Sequence, residues 1–555
     1  MNLAKMGLGA MNNAQYKLST AAHNVNNAAV EGYNRQTVLS QTAGSQPMGG
    51  GYVGRGVETV TVNRSYDNFL FTQLVGALGQ GAARTSYGNE IERLDTLFAD
   101  TSVGISPAIE RFFASVNAVA SEPADSAARE EMLGQANNLA TQVRETNAYL
   151  DQQRDNINTQ ITTVVEQVNS YVERISEANQ QIVKARASAN RHEPNDLLDQ
   201  RDQLVRELNE LVGVKVFDQG DGRVSLAVGN GQVVLGGNTV YPLQAMRSGD
   251  DPQRIVVGLT VRDSTGAPVG IEMDESYIRG GKLGGLVEYR QEVLDDVQNN
   301  LGRMALGLSE AFNAVHTQGL DSQGNPGQNF FSIGALKTIP SVADEANAAN
   351  VTAAVVNVND LTAADYRVSV NGDGHYEITN LVTKQTYPPA VDASGGAAVT
   401  RVIEGVEFTF SQPGVAGDSW LVQPSRNAAA GLNVVITDPA QIAAAAVGTG
   451  VSNGDIGLKL AQLQHDKTLG GGTMSVTESF SQIVNRIGVS SQKNKTALQA
   501  QQNLINQTYA AQQQVSGVNL NEEYINIEQA LEQYRAASRM IDVSSTMFDT
   551  LLNMR

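Results

Sequence analysis

The stretch that most limits how this chain can fold is its carboxyl-terminal segment, Leu520 to Leu552. Read at alternating steps of four and three, it gives Leu520, Tyr524, Ile527, Leu531, Tyr534, Ser538, Ile541, Ser545, Phe548 and Leu552, with only the two serines polar. A period of 3.5 residues keeps such a stripe on one face of a helix and forms the seam of a coiled coil. No Pro or Gly interrupts it. A lone helix with this face is unstable in water, because the stripe needs a cover. The remaining sequence has to supply one.

The same rhythm recurs at the other end of the chain. Ala4, Leu8, Met11, Gln15, Leu18, Ala22, Val25 and Ala29 follow steps of four and three, and only Gln15 is polar. Its small residues make a slim stripe, a natural complement to the bulkier one. The expectation is that the two ends pair as a coiled coil, with Leu8, Met11, Leu18 and Val25 against the carboxyl-terminal seam. Two amphipathic helices packed on separate domains are the competing reading. The helix must stop within Asn26 to Gln36, where Gly32 supplies a left-handed backbone.

At 555 residues the chain exceeds one core, so three or four domains are expected. Aromatics are 5% of the chain, with Trp420 the only tryptophan, which suits long thin helices better than a large globular core. The net charge of -19 argues against nucleic acid, which demands clustered Lys and Arg. No apolar run approaches the roughly 20 residues of a membrane span, and MNLAKMGLGAMNNAQYKL lacks the pattern of a secretory signal. Cysteine is absent. Either the protein never needed one, or it is exported unfolded and avoids thiol chemistry in transit.

Between the ends, the hydrophobic period alternates between helix and strand. Gly49 to Val62 reads as a loop and hairpin, and Tyr66 to about Leu211 as helix almost throughout. Pro107 and Pro123 mark helix starts, the second capped by Ser121. From Val214 the period becomes two, with turns at Gly220-Asp221-Gly222 and Asn230-Gly231, a β-meander. Gly281 to Val315 reads as one long helix. A second β-rich block follows from about Thr338 to Val435, with a hairpin turning at Asn371-Gly372 or Asp373-Gly374. Helix resumes near Pro439. The fold class is therefore α+β and multidomain, a helical rod with inserted β domains. Residues 1–35 with 515–555 form the terminal coiled coil; 36–212, 281–318 and 440–514 the rod; 213–280 and 319–439 the insertions.

Motifs for chemistry are lacking. His23, His192, His316, His375 and His465 fall on different elements, without the His-Glu-x-x-His spacing that aims two imidazoles at zinc. Asp321-Ser-Gln-Gly-Asn325-Pro lacks the Gly and terminal Glu of a calcium loop. No phosphate loop, nucleophile elbow or thiol is present. The expectation is no enzyme, no cofactor and no metal.

Four segments carry a family resemblance. They are Gly7-Leu8 through Asn24-Val-Asn26-Asn27 to Gly32, Tyr33, Asn34, Arg35 and Gln36; Asn195-Asp-Leu-Leu-Asp-Gln-Arg-Asp-Gln-Leu-Val; Gly405 to Pro424; and Ser516-Gly-Val-Asn-Leu-Asn-Glu-Glu-Tyr524 with the seam after it. In order and spacing they resemble the hook-associated protein 1 family, the hook–filament junction proteins of the bacterial flagellum. The resemblance implies a non-catalytic adaptor that forms a ring of its own copies between the hook protein and a second junction protein, hook-associated protein 3. It also implies unfolded export by the flagellar type III route. A cytoplasmic chaperone would hold the carboxyl-terminal helix first, and the subunit would end outside the cell. A hook or distal-rod protein would share the first segment but not the Leu-Leu-Asp-Gln-Arg-Asp helix. A secreted coiled-coil adhesin would carry a membrane-active stretch or anchor, and none is visible.

Overall fold

The computed structural model describes residues 2–99, 104–188, 192–262, 264, 266–341, 350–390 and 398–553. The helices are α1 (Asn2–Asn27), α2 (Asn68–Phe98), α3 (Ile105–Ser121), α4 (Ser126–Ser188), α5 (Asn195–Leu211), α6 (Gly281–Tyr289), α7 (Asp295–His316), α8 (Asp455–Gln462), α9 (Val476–Ser516) and α10 (Leu520–Leu552). The class is the one expected, a helical rod carrying β domains.

The rod is built on α4, whose 63 residues extend about 95 Å at 1.5 Å each. Of its one-sided apolar positions, Val143, Leu150, Ile157, Ile161, Val164, Val168, Ile175 and Ile182 are fully buried and Tyr171 is half-buried. α3 and α5 pack on it, while α2 lies against α5, α6 and α9. The start of α4 departs from expectation. Ser121 ends α3 and Pro123 lies in the turn, so the cap is Asp125, which accepts from the Ala127 amide at 3.0 Å. The run expected as one helix from Gly281 contains a π-helical turn at Arg290–Leu294 between α6 and α7. Near Pro439 there is only a short 3-10 turn, and the α-helix resumes at Asp455.

The first insertion holds a four-stranded antiparallel meander, Val214–Asp218, Val224–Val228, Gln232–Gly236 and Thr239–Val240. Beside it Ile255–Arg262 is flanked by Leu243–Arg247 and Pro268–Glu272. α4 covers it with asparagines that satisfy strand ends: Asn169 accepts from the Leu243 amide and Asn179 from that of Val224.

The second insertion packs a five-stranded sheet on a three-stranded one. Period-two burial brings Tyr366, Val368, Tyr376, Ile378, Phe408, Phe410 and Trp420 into its core. Tyr376 stacks on Phe410 with ring centroids 4.5 Å apart. Glu404 ties the sheets together, accepting from Thr362, Tyr366, Tyr387 and Asn380. In the hairpin the left-handed residue is Gly374, while Asn371 accepts from the amides of Asp373 and His375.

At the base of that domain Phe112, Phe113, Phe312, Phe330 and Phe331 form an aromatic knot beside His316. The buried imidazole donates from Nδ1 to the Gln328 carbonyl at 2.6 Å and accepts at Nε2 from the Ala443 amide at 2.8 Å. Only the neutral ring makes both bonds. Burial holds its pKa below the usual histidine value, with Arg129 adding to the effect and the Gln328 bond opposing it. The unfolded chain therefore takes up a proton first as pH falls, and the stability His316 contributes above about pH 6.5 is lost below it. Denaturation of wild type and His316→Gln from pH 7.5 to 5.5 should show their difference shrinking, by at most about 1.4 kcal/mol per pH unit. A constant difference would mean the ring does not titrate with unfolding.

Candidate functional site: the joint of the terminal helices

α1 packs along α10, so the two chain ends meet. The faces that meet are not the bulky ones. In α1 the small buried positions are Gly7, Ala14 and Ala21, spaced by seven, beside the buried Asn13 and Asn24, and in α10 the buried positions are Glu523, Ala530 and Ala537, again spaced by seven. A Cβ on Gly7 would come within 2.8 Å of the Ile541 side chain and 3.2 Å of the Ala537 carbonyl. Only small residues permit helices to approach this closely.

The stripes expected to seal the pair are thus rotated to its flank. Ile527 and Ile541 are half-buried against α1, but Leu520, Tyr524, Leu531, Tyr534, Phe548 and Leu552 remain exposed, Phe548 at 58% and Leu552 at 61%. In α1, Met11, Leu18 and Val25 are half-buried and Leu8 is exposed. The rotation has a simple cause. The apolar face of α10 is wider than one neighbour covers, and the closest approach selects the alanines within it.

Where the pair meets the rod, three segments distant in sequence converge. Asn24 of α1 accepts at Oδ1 from the Tyr33 hydroxyl (2.7 Å) and the Gln36 amide (2.9 Å), and donates to Glu523 (3.2 Å). Glu523 is 2% exposed and receives Arg35 Nε at 2.7 Å, while Arg35 also reaches Glu522 at 3.1 Å. The Arg35 amide donates to the Ser516 carbonyl at 2.8 Å, joining the ends of the excursion. Asn34 then anchors the chain on α5, giving its amide (2.9 Å) and side chain (2.6 Å) to Asp199. Gln36 donates to Asp196 at 2.7 Å, and Arg64 spans Asp199 and Asp202 at 2.8 Å each.

Gly32 allows this turn: its φ is +84°, and a Cβ there would lie 2.5 Å from Arg206 of α5. Asn27 packs on His23, which is 3.2 Å from Asp196, and Asn26 is exposed.

Burial raises the Asp199 carboxyl, an effect that Asn34 and Arg64 partly offset. Burial would lower the Arg64 guanidinium, but Asp202 and Asp199 outweigh it and hold the charge on. Burial, with Asp196, Asp199 and Glu523 nearby, keeps the Tyr33 hydroxyl protonated as a donor. The charges of the joint answer one another. Among the described residues no cluster of His, Asp or Glu is placed to hold a metal ion, and no helix is long and apolar enough to cross a membrane.

Tyr33, Arg35 and Gln36 are among the residues the sequence marks, while Asn24, Asp199, Asp202 and Glu523 lie inside the family segments with no role that the sequence assigns them. Their signal is that Asn195, Asp199 and Asp202 recur at helical spacing on the side of α5 that also carries Leu198 and Val205.

A family model described as the flagellar hook-associated protein FlgK helical domain matches residues 91–331, and one described as the flagellar hook-associated protein 1, D2-like domain, matches residues 341–424. The flagellar hook-associated protein 1 of Salmonella typhimurium is 36% identical over 561 residues, covering 100% of both chains. This chain belongs to the flagellar hook-associated protein 1 family. The Escherichia coli relative is 33% identical, again over 100% of both. Among solved structures, the flagellar hook junction protein FlgK from Burkholderia pseudomallei is 26% identical with a TM-score of 0.72, covering 80% of this chain and 100% of that one. Three of the four segments that carry the resemblance to hook-associated protein 1 meet at the joint, and the fourth, Gly405 to Pro424, lies in the second β domain.

Asp199→Asn removes one of the two carboxylates of Arg64 and turns an amide toward Asn34. A loss of about 1–3 kcal/mol locally is expected, seen as roughly tenfold to hundredfold faster amide exchange at Asn34 with Phe408 unaffected. Unchanged protection at Asn34 would place the anchor of the joint elsewhere.

Proposed function

We propose that this chain is a non-catalytic structural adaptor that joins hook to filament in the bacterial flagellum, working outside the cell after a cytoplasmic stage. Its partners are copies of itself in a ring, the hook protein on one side, hook-associated protein 3 on the other, and an export chaperone before assembly. Export is unfolded, through the flagellar type III route, and the absence of cysteine suits such transit.

One observation carries this reading. The terminal helices are paired, yet the pair leaves Leu520, Tyr524, Leu531, Tyr534, Phe548 and Leu552 of α10 and Leu8 of α1 uncovered. Each large apolar side chain gains roughly 1.5–3 kcal/mol on full burial. A stripe of them is a surface built to meet another chain. Neighbouring subunits cover it in the assembly, and the chaperone covers it beforehand. Ile527 and Ile541 stand at the boundary between the inner and outer contacts.

The two faces can be separated by substitution. Leu531→Asp with Phe548→Asp lies on the outer face, so the subunit should fold with unchanged circular dichroism while chaperone binding and filament formation fall. Ala537→Leu lies on the inner face and should force α10 from α1, raising protease sensitivity at both ends. Normal filaments on the first variant would refute the outer role, and loss of helix in it would mean the stripe packs within its own chain.

A further inference from the structure

Between the rod and the two β domains lies a cleft of about 890 Å³, rimmed by charged groups from all three. The rod contributes Asp295 at the start of α7, directly after the π-helical turn; Arg154 of α4, buried behind the cleft, lies 2.8 Å from it. The first β domain contributes Arg254, which pairs with the same carboxylate, and Asp250 and Asp251 on the adjoining turn. The second contributes Asp365, Arg367 and Arg426.

These groups are cross-linked rather than locally paired. Arg426 pairs with Asp365 in its own domain, donates to Asn299 of α7 at 3.1 Å, and lies 3.7 Å from Asp295 and 3.9 Å from Asp251. Asn299 in turn donates to Asp365 and to the Ala363 carbonyl, both at 3.2 Å. Arg367 pairs with Asp250, bridging one β domain to the other. Burial alone would raise the Asp295 carboxyl, but Arg254, Arg154, Arg426 and Arg290 together hold it well below the usual carboxylate range.

The attachment of the second domain makes this arrangement consequential. The rod's helices pack mainly on its base, where Phe331–Ser332 pairs with Asn433–Val434, rather than on its sheets. Just beyond that base the two connecting segments cross glycine to glycine: a Cβ on Gly431 would lie 2.4 Å from the Gly334 backbone. The polar contacts of the sheet body with the rod, among the described residues, are those of Asn359, which accepts from the Gly471 and Gly472 amides, and those across the charged cleft. A narrow crossing below and polar contacts above describe a hinge and its fastening.

We propose that the charges across this cleft, centred on Asp295, are a clamp that fixes the orientation of the second β domain against both the rod and the first β domain, and that without them the domain turns on its crossed connections. Removing one member leaves its buried partners uncompensated, so the fastening fails as a unit rather than by one bond. The clamp acts within one chain, whether or not the chain assembles with others.

The test is a distance distribution in the full-length protein. Because the natural chain has no cysteine, Val402→Cys in the second domain and Val489→Cys on α9, both exposed and outside the cleft, take two spin labels uniquely. The otherwise unaltered protein should give one narrow distance, and Asp295→Asn a broadened or doubled one at unchanged helix content. Arg367→Asp should broaden it too, and adding Asp250→Arg should restore the narrow distance. A narrow, unshifted distance in folded Asp295→Asn would overturn the proposal. If that variant does not fold, the exposed Arg367→Asp variant decides by the same criterion.

Discussion

Glu523 sits almost fully buried at the start of α10, and the groups that answer it, Arg35 and Asn24, come from the opposite end of the chain. Arg35 and Glu523 are separated by 488 residues. Closing a flexible loop of that length would cost about 5–6 kcal/mol from the logarithmic term alone. The folded rod removes most of that cost, because α2 leaves and α9 returns side by side. The Arg35 amide bonded to the Ser516 carbonyl marks the closure. A buried carboxylate without these partners would be strongly destabilising, so the terminal pair depends on the rod having formed. The β domains lie inside the closed excursion and leave this joint undisturbed.

Much of this was legible in the sequence, for a physical reason. Long one-sided helices such as α4 state their buried face directly, since a 3.6-residue period leaves no alternative orientation over 63 residues. The β hairpins were equally plain, because Gly and Asn at fixed offsets fix a turn. What was not legible arose where two signals coincided. In α10 the large apolar residues and the alanines both repeat by seven, and nothing local states which set faces α1. Gly7, whose missing side chain admits Ile541, decides it, and its partner is more than five hundred residues away. The π-helical turn at Arg290–Leu294 was likewise invisible, since its residues continue the helical pattern on either side.

The joint itself was half legible. Gly32 announces a turn by its freedom at positive φ, and Tyr33 to Gln36 follow from it. Asp199 and Asp202 look like ordinary solvated charges on an amphipathic helix. Only the arrival of Arg64 and Asn34 from another segment turns them into buried, satisfied groups. A sequence states which residues could be buried with ease and which could not. It does not state which of the difficult ones receive partners, because the partner is supplied by topology.

The division of labour in the terminal pair then has an energetic rationale. Alanine and glycine bury little area, so the contact of α1 with α10 yields modest apolar free energy and is located by the polar joint at one end. The larger side chains, with more area to bury, are those the pair leaves in water. Had the large stripe been sealed inside the chain, the subunit would be more stable alone and would have less to gain from a neighbour. Closing the chain with its small residues keeps the greater part of the large apolar area of α10 outside the pair, where only a further contact can bury it.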